Sequence, residues 1–150
     1  MTIATITDAE EILSLQRLAF ITEARIYNDY NILPLVQTLE ELISDFNDQV
    51  FFKELLNGQI VGSVRAFEKN NTCLIGRLIV HPSYQNQGIG KKLMNEVEAM
   101  FGKKCNRYEI FTGYRSEKNI CFYKKLGYKI FDCKYVTGEL SLVYLEKNIT

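Results

Sequence analysis

The stretch with the clearest chemical content is HPSYQNQGIGKKLM, from His81 to Met94, in which Gln85, Gly88, Gly90, Lys91 and Lys92 stand close together. An apolar run precedes it and an amphipathic pattern follows. Glycine lets backbone approach a ligand closely. The N–H groups from Asn86 to Lys91 would lie at a helix start, where the dipole favours negative charge. Lys91 and Lys92 add charge at the rim. The spacing points to a phosphate-binding loop, with a plain tight turn as the alternative. Counting residues excludes two nucleotide motifs. A Walker A loop needs glycine five positions before Gly90 and Ser or Thr after Lys91, where the chain has Gln85 and Lys92. A dinucleotide fingerprint needs a third glycine where the chain has Leu93, and the stretch follows hairpins instead of opening a Rossmann unit.

Several elements must position this loop. Thr7 followed by Glu10 reads as a capping box for a first helix from about Asp8 to Ile26, with Ile12, Leu15, Leu18 and Ala19 at helical spacing. YNDYNILPL breaks that helix, with Pro34 as the stop, and Thr38 with Glu41 opens a short second one. VFFKELL and QIVGSVRAF read as strands around Asn57-Gly58, a strong hairpin signal because both central positions of a type I′ turn need positive φ. EKNN turns again into TCLIGRLIV. After the loop come a helix from about Gly90 to Phe101, a strand RYEIFTG, a helix SEKNICFYKKL stopped by Gly127, and strands YKIFDCKYV and LSLVYLEK. The order is α+β, with one strand–loop–helix–strand unit in the middle.

Composition narrows the function classes. The 150 residues suit one domain, 1–150, able to bury its own core. Lys plus Arg equal Asp plus Glu at 18 each, so no global field points to nucleic acid or an anionic membrane. The cysteines Cys73, Cys105, Cys121 and Cys133 form no CxxC pair, so no metal site is expected. Cys73, Cys121 and Cys133 lie in apolar runs and are expected as buried free thiols. The N-terminal residues lack the pattern of a signal peptide and no run is long enough for a membrane span, which points to the cytoplasm.

Two segments together resemble the GNAT N-acetyltransferases. LIVHPSYQNQGIGKKLM is similar to that family's acyl-CoA signature, a [RQ]xxGx[GA] pattern behind a strand and an aromatic such as Tyr84, and NICFYKKLGYKIF is similar to its FYxKLGF block. The resemblance covers about Ile3 to Lys147. It implies a GNAT-type acyl-CoA N-acyltransferase fold: a central twisted mixed β-sheet, splayed in the middle, with flanking helices. It implies acetyl-CoA as co-substrate, with the strand segment Leu78, Ile79 and Val80 alongside the pantetheine arm. The pyrophosphate would then lie against Gln85, Asn86, Gln87, Gly88, Ile89, Gly90 and Lys91. Ser116, Asn119 and Tyr123 complete the implied coenzyme-contacting set. The implied chemistry is direct attack of an amine on the thioester, the Leu78 N–H stabilising the oxyanion and Tyr123 protonating the departing thiolate.

The base is left open. The strand position where many relatives carry glutamate is Leu74, and the alternative position on the next strand is Phe111. Glu23, Asp29, Glu54, Glu68, Glu109 and His81 are the visible candidates, His81 the weakest, beside a water chain or an already neutral amine. On the acceptor side the resemblance points to Glu23, Tyr27, Asp29, Tyr30 and Gln37, whose carboxylates and aromatic faces suit a cationic amine; an ordinary solvated inter-helix loop is the competing reading. The absent strand glutamate keeps a second function open, a non-catalytic acyl-CoA-binding sensor or recruitment module. The failed motifs disfavour a nucleotide-binding protein. A homodimer is compatible with such folds.

Overall fold

The structure, a computed structural model, describes residues 2–138 and 140–149. The chain runs α1 (Ala9–Tyr27), α2 (Leu33–Val36), α3 (Leu39–Asp45), β1 (Val50–Leu56), β2 (Gln59–Lys69), β3 (Thr72–Val80), α4 (Ile89–Phe101), β4 (Arg107–Gly113), α5 (Glu117–Lys125), β5 (Lys129–Thr137) and β6 (Leu140–Asn148). The strands form one sheet in the order β1-β2-β3-β4-β6-β5. Among the described residues only β3 and β4 pair in parallel; the other neighbours are antiparallel. The α+β class, the mixed sheet and the flanking helices are those the sequence led us to expect.

Local chemistry accounts for most boundaries. Asn57 and Gly58 have φ of 52° and 78°, and Asn70 and Asn71 have 52° and 63°, so both hairpins turn through left-handed pairs. Thr38 and Glu41 form the expected reciprocal cap of α3, with backbone-to-side-chain bonds of 2.9 and 3.2 Å. The start of α1 differs from expectation. Asp8, not Glu10, accepts the Thr5 N–H at 2.9 Å, because residues Ile6–Asp8 form a 3₁₀ turn that consumes Thr7 before the helix begins. Its end differs too. Asn28 stops α1 in the left-handed conformation, φ 48°, whereas Pro34 lies in the first turn of α2, where a missing N–H removes no helix bond.

Helices cover both faces of β1–β3. The faces of α1 and α3 bury Ile12, Leu15 and Leu42 against Phe51, Ile60 and Ile79. On the other face Leu93, Met94, Val97 and Phe101 of α4 join Phe52, Val64, Ile110 and Leu145. Residues 60–66 of β2 are accordingly buried without alternation, as befits a strand covered on both sides. Cys73 and Cys105 are buried, but Cys121 and Cys133 are exposed, against expectation. Apolar neighbours in sequence did not bury them because Cys133 lies on an edge strand and Cys121 on the outer side of α5.

A buried polar knot ties α1 to the sheet. Arg65 is 3% exposed and donates to Asp45 at 2.7 Å and to Gln16 at 2.5 Å. Burial, and then the neighbouring Arg77, pushes its pKa down to about 10, so it stays charged at neutral pH. Gln37 completes the knot: it accepts from Gln16 and Arg77 and donates to Asp45. Gln37 was expected to face the acceptor; its amide is instead committed to this structural network, because the α2–α3 connection folds back over α1.

Among the glycines, Gly113 has the least room for a side chain. A Cβ there would occupy the space of the Tyr27 hydroxyl. Gly113→Ala should therefore displace Tyr27 and cost about 1–3 kcal/mol by overpacking. Chemical denaturation of the variant checks this; Gly113→Ala/Tyr27→Phe should not restore stability, because the ring end of residue 27 also lies within 3 Å of the new Cβ.

Candidate active site

The sheet opens where the loop begins. Pairing of β3 with β4 stops at Ile75↔Ile110, while β4 continues alongside β6 to Gly113. Beyond that point β3 carries a bulge. Ser63 pairs with Ile79 and Arg65 with Gly76, so Arg77 and Leu78 together oppose Val64, and Arg77 takes a left-handed φ of 50°. The His81 N–H donates to Val61 O at 2.8 Å, toward β2. Strand alternation then turns Ile79 toward β2 as well, and aims the N–H and C=O groups of Leu78 and Val80 into the opening. There β4 offers them no pairing among the described residues.

The glycine loop closes one end of the opening. Pro82–Tyr84 form a 3₁₀ turn in which His81 Nδ1 accepts the Ser83 N–H at 3.1 Å. Asn86 and Gly88 have φ of 63° and 83°. These two left-handed residues curl the chain so that α4 starts at Ile89 with Gly88 as its cap. The first helical bond runs from the Lys92 N–H to Gly88 O at 3.0 Å. The N–H groups of Ile89, Gly90 and Lys91 therefore point out of the helix start, without a partner in the helix. Among the described residues no side chain caps this end. A Cβ on Gly90 would come 3.2 Å from Phe122, so this glycine lets α4 pack on α5. Lys92 is ion-paired with Glu54 at 2.7 Å; Lys91 makes no ion pair among the described residues.

The second end is built by α5 and α1. Tyr123 is 5% exposed, with ring centroids 5.4 Å from Phe122 and 6.2 Å from Tyr128. Its hydroxyl has no hydrogen-bond partner among the described residues. Burial, and secondarily the negative charge of Glu23, holds its pKa above the ordinary tyrosine range. Glu23 Oε1 accepts from Ser116 Oγ at 2.5 Å and from Asn119 Nδ2 at 3.2 Å. Asn119 also donates to Thr112, and the Tyr27 hydroxyl bonds Ser116 and the Arg115 N–H. Burial raises the Tyr27 pKa as well.

The structure thus brings Glu23, Tyr27, Ser116, Asn119 and Tyr123 into one cluster, although Ser116 and Asn119 spend their side chains on Glu23. Of the other acceptor-side residues, Asp29 accepts the Asn31 N–H at 2.9 Å and Tyr30 is exposed on the loop. A cavity of about 480 Å³ lies beside them, lined by Tyr27, Asn28, Asp29, Arg115, Thr137 and Gly138. The Arg115 contribution went unseen in the sequence: nothing local distinguishes it, and only the return of β4 to the end of α1 places it there. The other candidate bases are elsewhere occupied or distant. Glu54 holds Lys92, Glu109 holds Arg107 at 3.0 Å, and Glu68 is exposed opposite Cys73 at the far end of β2. Among the described residues no helix is long and apolar enough to cross a membrane.

Comparison with known proteins follows the same outline. The profile of the acetyltransferase (GNAT) domain matches residues 47–130, more than half of the chain. An acetyltransferase of Pectobacterium atrosepticum, ECA0875, is 28% identical over 85 residues, which is 56% of this chain and 60% of that protein. The UPF0157 protein YqkA of Bacillus subtilis is 27% identical over 124 residues, 82% of this chain and 35% of that protein. The chain thus spans between about a third and three fifths of these curated relatives. Among solved structures, the PaiA N-acetyltransferase of Thermoplasma acidophilum, in complex with coenzyme A, superposes with a TM-score of 0.81 at 24% identity, covering 99% of each chain; that likeness is one of fold. On the strength of the domain match, which includes the splayed strands, the glycine loop and the Tyr123 helix, the chain belongs to the GNAT acetyltransferase family.

Proposed function

We propose that the chain is an acetyl-CoA-dependent N-acetyltransferase acting on an amine in a direct ternary complex. The observation that carries this reading is the opening between β3 and β4. It presents unpaired backbone groups of Leu78 and Val80 beside a helix start whose N–H groups are free. A pantetheine arm can pair with the strand edge as an added strand would, and a pyrophosphate suits the helix start. That the Thermoplasma acidophilum protein of like fold is a complex with coenzyme A supports coenzyme A as the ligand.

Acetyl-CoA brings an acyl thioester. The Leu78 N–H donates to the carbonyl oxygen as it gains charge. Glu23, the candidate carboxylate that lies in the Tyr123 cluster, takes the proton of the attacking amine; its Oε1 is held by Ser116 and Asn119. The nitrogen–carbon bond forms, the carbon–sulfur bond breaks, and Tyr123 gives its proton to the leaving thiolate. The amine enters through the cavity beside Tyr27 and Asp29. A screen of amines with acetyl-CoA, followed by free-thiol release, tests the proposal. Turnover on an acceptor is expected; tight coenzyme A binding without turnover on any amine would leave the binding-module reading.

The electrostatics give a second expectation. A tyrosine must be protonated to act as an acid, and Tyr123 loses its proton only above the ordinary range, near pH 10. The rate at saturating acetyl-CoA should therefore rise with pH as the amine deprotonates, with no falling limb up to about pH 10. A pH–rate profile falling near pH 9 would contradict the assignment.

A further inference from the structure

Strand β5 is a free sheet edge, and every one of its nine residues from Lys129 to Thr137 is exposed. Apolar side chains sit on it at unusual exposure, 43% for Phe131 and 71% for Tyr135. Long exposed edges invite pairing with another chain, and proteins commonly blunt them with charges and bulges. Here both devices are arranged about one residue. The strand is bulged against β6 on either side of Asp132–Tyr135, so that only this central stretch runs regularly. Within it Asp132 and Lys134 flank Cys133.

We propose that two copies of the chain pair antiparallel through their β5 edges, about a two-fold axis at Cys133. The backbone direction fits. Ser141 O accepts the Tyr114 N–H on the β4 side, so alternation turns Val143 toward β4 and its partner Cys133 toward the free edge, where the Cys133 N–H meets the Asp132 carboxylate at 2.8 Å. In the symmetric register Cys133 of each copy exchanges both backbone bonds with its counterpart. Asp132 then stands opposite Lys134 of the second copy, and Lys134 opposite its Asp132, on the same face of the sheet. Both groups are available: Lys134 lies over the Tyr144 ring at 4.8 Å and has no carboxylate partner among the described residues, while Asp132 accepts the Cys133 N–H, for which the second copy's carbonyl would take over as acceptor.

The charge pattern is self-complementary in this register and in no neighbouring one. A slip by two residues along either strand separates the opposite charges. Exposed ion pairs add little affinity, so their role is to select the register and reject other edges. Backbone bonds hold the pair, together with the apolar ends, where Ile130 and Phe131 of one copy lie at the level of Tyr135 and Val136 of the other. The bulges beyond Cys133 end the pairing on each side, and two-fold symmetry closes the assembly, leaving no further edge at β5.

Sedimentation of the full chain across a concentration series tests the pairing. The wild type should form a dimer, and both Asp132→Lys and Lys134→Asp should be monomeric or at least tenfold weaker, with an unchanged far-ultraviolet circular dichroism spectrum. The Asp132→Lys/Lys134→Asp double variant, which restores complementarity, should dimerise again. A hydrogen-bonded antiparallel pair sets Cα atoms about 5.5 Å apart, within disulfide reach. Diamide, which takes up the two protons and two electrons, should therefore cross-link the wild type and Cys121→Ser but not Cys133→Ser. A wild type that stays monomeric at every concentration overturns the proposal. So does a dimer that survives both single reversals, or one that cross-links without Cys133.

Discussion

Gly88→Glu is expected to lower coenzyme A affinity at least about a hundredfold, equivalent to about 2.7 kcal/mol. The residue caps α4 at φ 83°, and its neighbours leave open space where a side chain would go. A glutamate fits sterically, so the variant places a carboxylate directly in front of the free N–H groups of Ile89, Gly90 and Lys91. That carboxylate satisfies the helix start in cis and repels a pyrophosphate; like charges brought together at an interface cost several kcal/mol. Left-handed strain is a separate effect. A non-glycine residue at this φ costs roughly 1–2 kcal/mol of folding stability, which Gly88→Ala isolates. Calorimetric titration should find Gly88→Ala less stable but within a few-fold of wild-type affinity, and Gly88→Gln intermediate. Retained affinity in Gly88→Glu would remove the loop from the binding site.

The parts of this site that were legible in the sequence are those fixed by local chemistry. Gly88 and Gly90 announce a backbone that must curl, and Asn57-Gly58 announces the hairpin that delivers it. The Thr38–Glu41 cap and Gly127 set helix ends for the same reason: each satisfies backbone groups within a few residues. What stayed hidden depends on partners far apart in the chain. Ser116 and Asn119 look like coenzyme contacts by position, yet they hold Glu23 from 93 and 96 positions away. Gln37 looks like an acceptor-facing amide in a polar loop, yet Arg77 and Asp45 claim both of its ends. Arg77 itself gives no sign of the bulge it occupies, because an arginine in the left-handed region is held there by its surroundings, not by its own preference.

The splay illustrates how the two kinds of information combine. An apolar strand followed by a glycine loop says that a helix start faces something anionic. It does not say that β4 leaves β3 after Ile75, or that a bulge turns Leu78 and Val80 into the gap. Those features come from the register of three strands at once. The opening results from β4 staying with β6 while β3 stays with β2, since each antiparallel pairing continues past the point where the parallel one stops.

Tyr123→Phe is expected to lower kcat by about a hundredfold to ten-thousandfold, the usual reach of general acid catalysis, with little change in the KM for acetyl-CoA. The fold should not notice. The hydroxyl has no partner among the described residues, and phenylalanine keeps the ring contacts with Phe122 and Tyr128. A tyrosine pushed upward by burial looks like a poor acid for a thiolate. Two features offset this. A thiolate released into the same buried space is itself a stronger base than in water, since desolvation disfavours its charge too. The charge of Glu23 is the second contributor to the upward push on Tyr123. When Glu23 takes the amine proton that charge disappears, so Tyr123 becomes a better acid as the thiolate leaves. In the proposed mechanism base and acid are therefore coupled through one carboxylate. Glu23→Gln should lower kcat by removing the base, and the Glu23→Gln/Tyr123→Phe double variant should lose less than the product of the two single losses. Independent, multiplying losses would show the two residues acting without this link, and an unchanged kcat in Tyr123→Phe would show that the thiolate leaves without its proton.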